Sequence, residues 1–323
     1  IINDTFVELE DYDLKEVIGI GSFGFVLRAI EKETGKEVAL KALPQTDRLN
    51  TKKDQANFFL KAIAPRLLGL PGIVKLIGFR FPLTKEIRED LAKKDPTKLK
   101  FSTIIKGKKF DLTGAIIVTE LMKNGSVSAF VRDYLKNGGK VTNKINPTIR
   151  CKIIFGVAAT MKRFHKKNII HGDLKLEKIF LDDNMEPRIA YFGINKVTNI
   201  DMNMHFGVPI AIKPEFIMNG GKSYSTENDV FDFAFLIYKM FTNSIEFADK
   251  KPIRYPHHFM MKIDRGLRPK RPKFIPDPYW ELIQKCWKQE PAERITFEEI
   301  TEELKSDIFA INEFGMKTDL DQL

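Results

Sequence analysis

Three short stretches carry residues able to do chemistry. The first, Gly19-Ile20-Gly21-Ser22-Phe23-Gly24, spaces its glycines as Gly-x-Gly-x-x-Gly. Taken alone, such a run is an ordinary glycine turn as readily as a dinucleotide loop. A dinucleotide fold wants a helix straight after the glycines and an acidic residue about twenty positions on. Here Phe25-Val26-Leu27-Arg28 continues as a strand instead. The second is Lys41, seventeen residues past Gly24, which closes Val38-Ala39-Leu40-Lys41. A surface lysine is the plain reading and a cation set in a pocket the functional one. The third is His171-Gly172-Asp173-Leu174-Lys175, where Asp173 is either a general base or a structural carboxylate.

The elements that must position these residues divide the chain. Residues 12–18 alternate imperfectly and predict a strand. Further strands run from Phe25 to Ile30 and from Glu37 to Ala42, joined by a turn at Glu33-Thr34-Gly35-Lys36. In 52–68, Phe58, Phe59, Ala62, Ile63 and Leu67 predict a helix despite Pro65, and two more strands follow near 73–79 and 115–121. Between them lies 84–113, interrupted by Pro96, with nine Lys or Arg and four Asp or Glu from Lys85 to Lys109. It is expected to be a solvated basic loop, with docking of acidic partners as the functional alternative.

The second half is helical. Asn146 followed by Pro147 is a favoured helix start. Ile154, Val157, Ala158, Met161 and Phe164 then give one buried face. Asp229 to Phe241 is almost wholly apolar, as a helix buried on most sides would be; Tyr279 to Trp287 and Phe297 to Leu304 predict two more helices, and 306–323 a short extension. A strand-rich first third and a helical remainder predict an α+β chain with two lobes.

Composition narrows the classes. Among 323 residues, 53 Lys and Arg against 43 Asp and Glu give a net charge of +10. The basic residues are interleaved with acidic ones along the whole chain, so a soluble basic surface is expected and no nucleic-acid module is visible. No apolar run approaches the ~20 residues of a membrane span. Cys151 and Cys286 lie far apart within apolar segments, which argues against a disulfide scaffold or zinc site and suits a reducing compartment, so a cytoplasmic setting is expected. The chain opens at Ile1 and not at Met, as an excised piece would, so the lack of a targeting signal carries little weight.

The motifs together resemble the protein kinase family. The glycine loop running into a strand is similar to the kinase Gly-rich loop, Val38-Ala39-Leu40-Lys41 to the strand whose Lys grips nucleotide phosphates, and His171-Gly172-Asp173-Leu174-Lys175 to the catalytic loop. Tyr191-Phe192-Gly193 stands where Asp-Phe-Gly belongs. Lys213-Pro214-Glu215 resembles the Ala-Pro-Glu triplet, Asp229-Val230-Phe231 the start of the central helix, and Cys286-Trp287 with Pro291 and Arg294 the close of the domain. The resemblance covers residues 12–305, with an N-lobe of 12–122 bearing the 84–113 insert and a C-lobe of 123–305. Thr119-Glu120-Leu121-Met122 and the Cys-Trp…Arg…Thr-Phe ending look most like the tyrosine-kinase-like group.

The resemblance implies nucleotide binding by Gly19, Gly21, Gly24, Val26, Ala39 and Lys41. It makes Thr119 the gatekeeper, Glu120 and Met122 the hinge, and Phe180 a bulky floor that narrows the adenine pocket. Asp173 would be the base, aided by Lys175, with His171 a core histidine. Glu215 would pair with Arg294, and Asp229 would brace the catalytic loop.

Departures from the pattern cluster on the metal. Kinases hold two magnesium ions with the Asp of Asp-Phe-Gly and the Asn of the catalytic loop. Here Tyr191 and Lys178 stand at those positions. A phenol is neutral at pH 7 and an ammonium cationic, so neither replaces a hard oxygen ligand. No Glu occurs from Val38 to Lys85, and Ala62 stands about where the partner of Lys41 belongs. Gly172 replaces the Arg that receives activation-segment phosphate, 194–215 holds a single hydroxyl residue, Thr198, and Val208 replaces the Thr beside the base.

For Tyr191 the expectation is a ring packed into the vacated metal site. For Lys178 two readings stand: a tolerated substitution facing solvent, or an ammonium that meets nucleotide phosphate with Lys41 and Lys175. On balance the chain is expected to be a pseudokinase, a scaffold or allosteric regulator with weak or no nucleotide binding. ATP is the cofactor implied, magnesium has no holder, and proteins are the expected partners. The alternative is a low-activity serine/threonine kinase that transfers the ATP γ-phosphate to protein hydroxyls.

Overall fold

The computed structural model describes residues 5–21, 24–44, 52–82, 93, 102–136, 147–190, 213–214, 225–242 and 261–306. Two compact units emerge. One comprises Ile1–Gly69, Val74–Met122 and Phe192–Thr198, and the other Leu70–Ile73, Lys123–Tyr191 and Asn199–Leu323.

In chain order the first unit holds β1 (Tyr12–Gly21), β2 (Gly24–Glu31), β3 (Glu37–Ala42), helix α1 (Lys52–Leu67) and β4 (Leu76–Arg80). A hairpin of β5 (Ser102–Ile105) and β6 (Lys108–Asp111) follows, then β7 (Ile116–Glu120). Five of these strands form an antiparallel sheet in the order β1-β2-β3-β7-β4. Alternation sorts β3 cleanly. Val38, Leu40 and Ala42 are buried in one apolar cluster with Leu27, Ala29, Ile116 and Val118. The other face packs Phe59 and Ile63 of α1 against Leu76, Phe79 and Ile117.

The glycines sit inside the ladder. Gly19 pairs with Val26 and Gly21 with Gly24. Gly24 has φ +106°, and a Cβ there would meet the Ala42 carbonyl oxygen at 1.9 Å, so only glycine lets β2 approach β3 this closely.

The basic insert departs from expectation. Residues 102–111 are a regular hairpin and not a solvated loop: Ser102 pairs with Asp111, Thr103 with Phe110, Ile104 with Lys109 and Ile105 with Lys108. Lys106 and Gly107 make the turn, both at positive φ (49° and 77°), as a tight two-residue hairpin requires. The hairpin is fastened to the sheet by Phe110, whose ring centroid lies 4.8 Å from that of Phe25. Lys106, Lys108 and Lys109 are all exposed, so charge density hid the alternation. Residues 84–92 and 94–101 of the insert lie outside the described residues.

The second unit holds α2 (Val127–Lys136), α3 (Pro147–Lys166), β8 (Ile179–Leu181), β9 (Pro187–Ile189), α4 (Thr226–Thr242), α5 (Asp277–Cys286) and α6 (Phe297–Glu303). One core joins them: Ile154, Val157, Met161 and Phe164 of α3 with Phe231, Phe233 and Leu236 of α4 and Leu282, Phe297 and Ile300 beyond. From Asn228 to Phe241, α4 is buried at every position except Lys239. Thr296 and Glu299 form a reciprocal capping box that starts α6. The sequence reading missed α2, β8 and β9. The helix start expected at Asn146 and the extension from 307 lie outside the described residues. Among the described residues, no helix is long and apolar enough to cross a membrane.

Candidate active site

In the sheet unit, register gathers five of the residues expected at nucleotide. Val26 lies opposite Lys41, Ala39 opposite Thr119, and Gly19 opposite Val26. Cross-strand partners share a face, as do residues two apart. Val26, Ala39, Lys41 and Thr119 therefore line one face of the sheet, opposite the cluster of Val38 and Leu40. Thr119 is buried and its hydroxyl donates to the Glu120 carbonyl at 3.1 Å. Glu120 is clamped to Lys75: its carboxylate accepts from the Lys75 N–H at 2.7 Å, and its own N–H donates to the Lys75 carbonyl at 3.1 Å. Met122, half-buried, ends the Val74–Met122 segment of the unit. Ala62 lies on α1.

In the helical unit the catalytic-loop motif is held from below. Asp229, wholly buried on α4, accepts from the backbone N–H of His171 at 2.8 Å and of Gly172 at 2.7 Å. Its Oδ2 also lies 2.9 Å from His165 Nε2. The brace implied by the resemblance is therefore formed. Gly172 has φ +75°, a conformation glycine adopts without penalty. His171 is buried, and its Nδ1 accepts from the Asp173 N–H at 3.2 Å. Burial holds its imidazole below the ordinary value, against Asp229 and Asp173, so it is a neutral structural ring at pH 7.

Asp173 sits between two ammonium groups. Lys175 Nζ lies 2.8 Å from Oδ1 and Lys178 Nζ 3.7 Å from Oδ2. Burial pushes the Asp173 carboxyl up, but Lys175 and Lys178 outweigh it and leave it below the ordinary carboxylate value. Lys178 ends a 3-10 turn, Leu176–Lys178. Its carbonyl accepts from the Ala190 N–H at 2.8 Å, one residue before position 191. Lys178 does not face solvent: its side chain is 15% exposed, and burial pulls its ammonium below the ordinary lysine value, with Asp173 opposing. Phe180 is half-buried on β8, opposite Arg188, between the buried Ile179 and Leu181.

At one of the two positions where the family holds magnesium, Lys178 places an ammonium 3.7 Å from Asp173 Oδ2. Asp173 Oδ2 is buried without a hydrogen-bond partner among the described residues. Tyr191, Val208 and Glu215 lie outside the described residues. Arg294, the expected partner of Glu215, donates to the carbonyls of Lys288 and Glu227, both at 3.0 Å.

One pair escaped the sequence reading altogether. Lys213 Nζ lies 2.7 Å from Asp232 Oδ1, both side chains nearly inaccessible. Burial pushes the Asp232 carboxyl up to about 7, with Lys213 opposing. A carboxylate inside the apolar run of α4 was the available signal, since such a group needs a buried partner.

A model of the protein kinase domain matches residues 12–304. The chain belongs to the protein kinase family. Three similar kinases illustrate the range. RGS domain-containing serine/threonine-protein kinase A of Dictyostelium discoideum is 30% identical over 193 residues, 59% of this chain and 16% of that protein. Dual specificity protein kinase shkB of the same organism is 28% identical over 300 residues, 90% of this chain and 39% of that protein. Receptor-interacting serine/threonine-protein kinase 4 of Mus musculus is 29% identical over 232 residues, 68% and 28% respectively. This mixture agrees with the tyrosine-kinase-like features of the kinase sequence. The chain therefore spans well under half the length of these kinases.

Proposed function

We propose that this kinase domain is a pseudokinase, a signalling scaffold or allosteric regulator that acts through its surfaces on protein partners and binds nucleotide weakly. The observation that carries the reading is the buried Lys178 ammonium, 3.7 Å from Asp173, where a kinase places a metal-holding amide. A divalent cation beside an ammonium meets repulsion, and the γ-phosphate then lacks the alignment that phosphoryl transfer relies on. Each ~1.4 kcal/mol of lost transition-state stabilisation is tenfold in rate. The domain is taken as 12–305, with 12–122 and 123–305 as its lobes and 306–323 as an extension. Two free, buried cysteines suit the reducing cytoplasm.

The test is reconstruction. The double variant Tyr191→Asp, Lys178→Asn should gain magnesium-dependent tightening of ATP and measurable protein phosphorylation. Native protein that already shows both would sink the proposal.

One observation favours a second reading, a slow serine/threonine kinase. The Asp173–Lys175 pair at 2.8 Å and the Asp229 brace keep a would-be base in place. Turnover in the native protein, abolished by Asp173→Asn, would establish it.

A further inference from the structure

We infer that Lys178 and Lys175 form a metal-free anion site for a polyphosphate, so that the nucleotide this domain retains is ATP without magnesium. The inference deepens the pseudokinase reading and rests on it.

The charge balance of the trio is the starting point. Asp173 supplies one negative charge, and Lys175 and Lys178 two positive ones, which leaves an excess positive charge where a kinase concentrates carboxylate and amide oxygens for a cation. Among the described residues, the nearby carboxylates have partners of their own. Glu177 turns away, accepting from the Ser128 hydroxyl at 3.3 Å and lying 3.9 Å from Lys239. Asp229 is engaged by His171, Gly172 and His165.

The two lysines differ in what they can give a ligand. Lys175 touches Asp173 at hydrogen-bond length, 2.8 Å, and is the more exposed at 39%. Lys178 stands at 3.7 Å, an electrostatic contact too long for a formed hydrogen bond. Its ammonium is therefore mostly out of water, with donor capacity left over among the described residues. An ammonium of this kind suits a phosphate oxygen, which gains a charge-assisted bond without losing a hydrated lysine's freedom. Magnesium works against such a site: it neutralises the phosphate charge that the lysines recognise and is itself repelled by them.

The experiment uses calorimetric titration of the native chain with ATP and with inorganic tripolyphosphate, each in EDTA and in excess magnesium. The expected result is binding of both in EDTA, weakening as ionic strength rises and weakening again when magnesium is added. Lys178→Gln should reduce affinity in EDTA by about tenfold or more, the worth of one charge-assisted bond, and Lys178→Arg should retain most of it. Three results would overturn the inference: no binding in EDTA, tightening by magnesium, or Lys178→Gln binding as well as native. Should Lys178→Gln fail to fold, the salt and magnesium responses of the native chain decide. The pseudokinase reading fails separately, only if phosphorylated product accumulates.

Discussion

Replacing Asp229 by Asn tests whether the catalytic loop is kept as architecture. The carboxylate is wholly buried and receives two backbone N–H groups, from His171 and Gly172, at 2.8 and 2.7 Å. An asparagine keeps one oxygen and presents an NH₂ to the other donor. One buried N–H is then left unsatisfied, at a cost of about 1–3 kcal/mol, and the remaining bond loses its ionic character, worth about another 1 kcal/mol. The sum, about 2–4 kcal/mol, is a large part of a domain stability of about 5–15 kcal/mol. Urea unfolding followed by Trp fluorescence reads it directly, because the two tryptophans, Trp280 and Trp287, both lie in the helical unit. Asp133→Asn, at a side chain 72% exposed, serves as control and should change stability by less than about 0.5 kcal/mol. An Asp229→Asn protein that loses under about 1 kcal/mol would refute the reasoning.

Two other perturbations probe neighbouring features. Gly172→Ala should cost about 1–2 kcal/mol, because φ +75° is unfavourable for a side-chain-bearing residue. Gly172→Asn should cost less, since asparagine tolerates that region better; equal stability of all three proteins in urea would contradict this. Asp232→Asn should flatten the pH dependence of stability. Between the ordinary value of 3.8 and about 7, folded Asp232 keeps a proton that the unfolded chain has released. Native stability therefore falls as pH rises through that window and levels off above it. Melting temperatures from pH 4.5 to 8.5 check the slope, and parallel native and variant profiles would refute it.

Much of this molecule is written in its pattern. The alternation of Val38, Leu40 and Ala42 with Ala39 and Lys41 marks β3 and sorts its faces, and the apolar run of α4 marks a buried helix. Other elements carry weaker signals. Strands β8 and β9 are three residues each, too short for periodicity to register. The β5–β6 hairpin is masked by its exposed lysines, although the Lys106-Gly107 pair could have been seen as a turn. The candidate site divides the same way. Motif spacing locates Asp173, Lys175 and Lys178, whereas the depth of Lys178 and its distance from Asp173 arise from packing between the 3-10 turn and the β8–β9 ladder. The partner of Asp232, nineteen residues away at Lys213, is likewise a matter of tertiary placement.

The most direct measurement is mass spectrometry of the native chain incubated for hours with ATP, magnesium and a generic protein substrate. With a buried ammonium in the metal's place, neither the substrate nor the chain itself should gain phosphate. Phosphorylation that requires magnesium and disappears in Asp173→Asn would contradict the account.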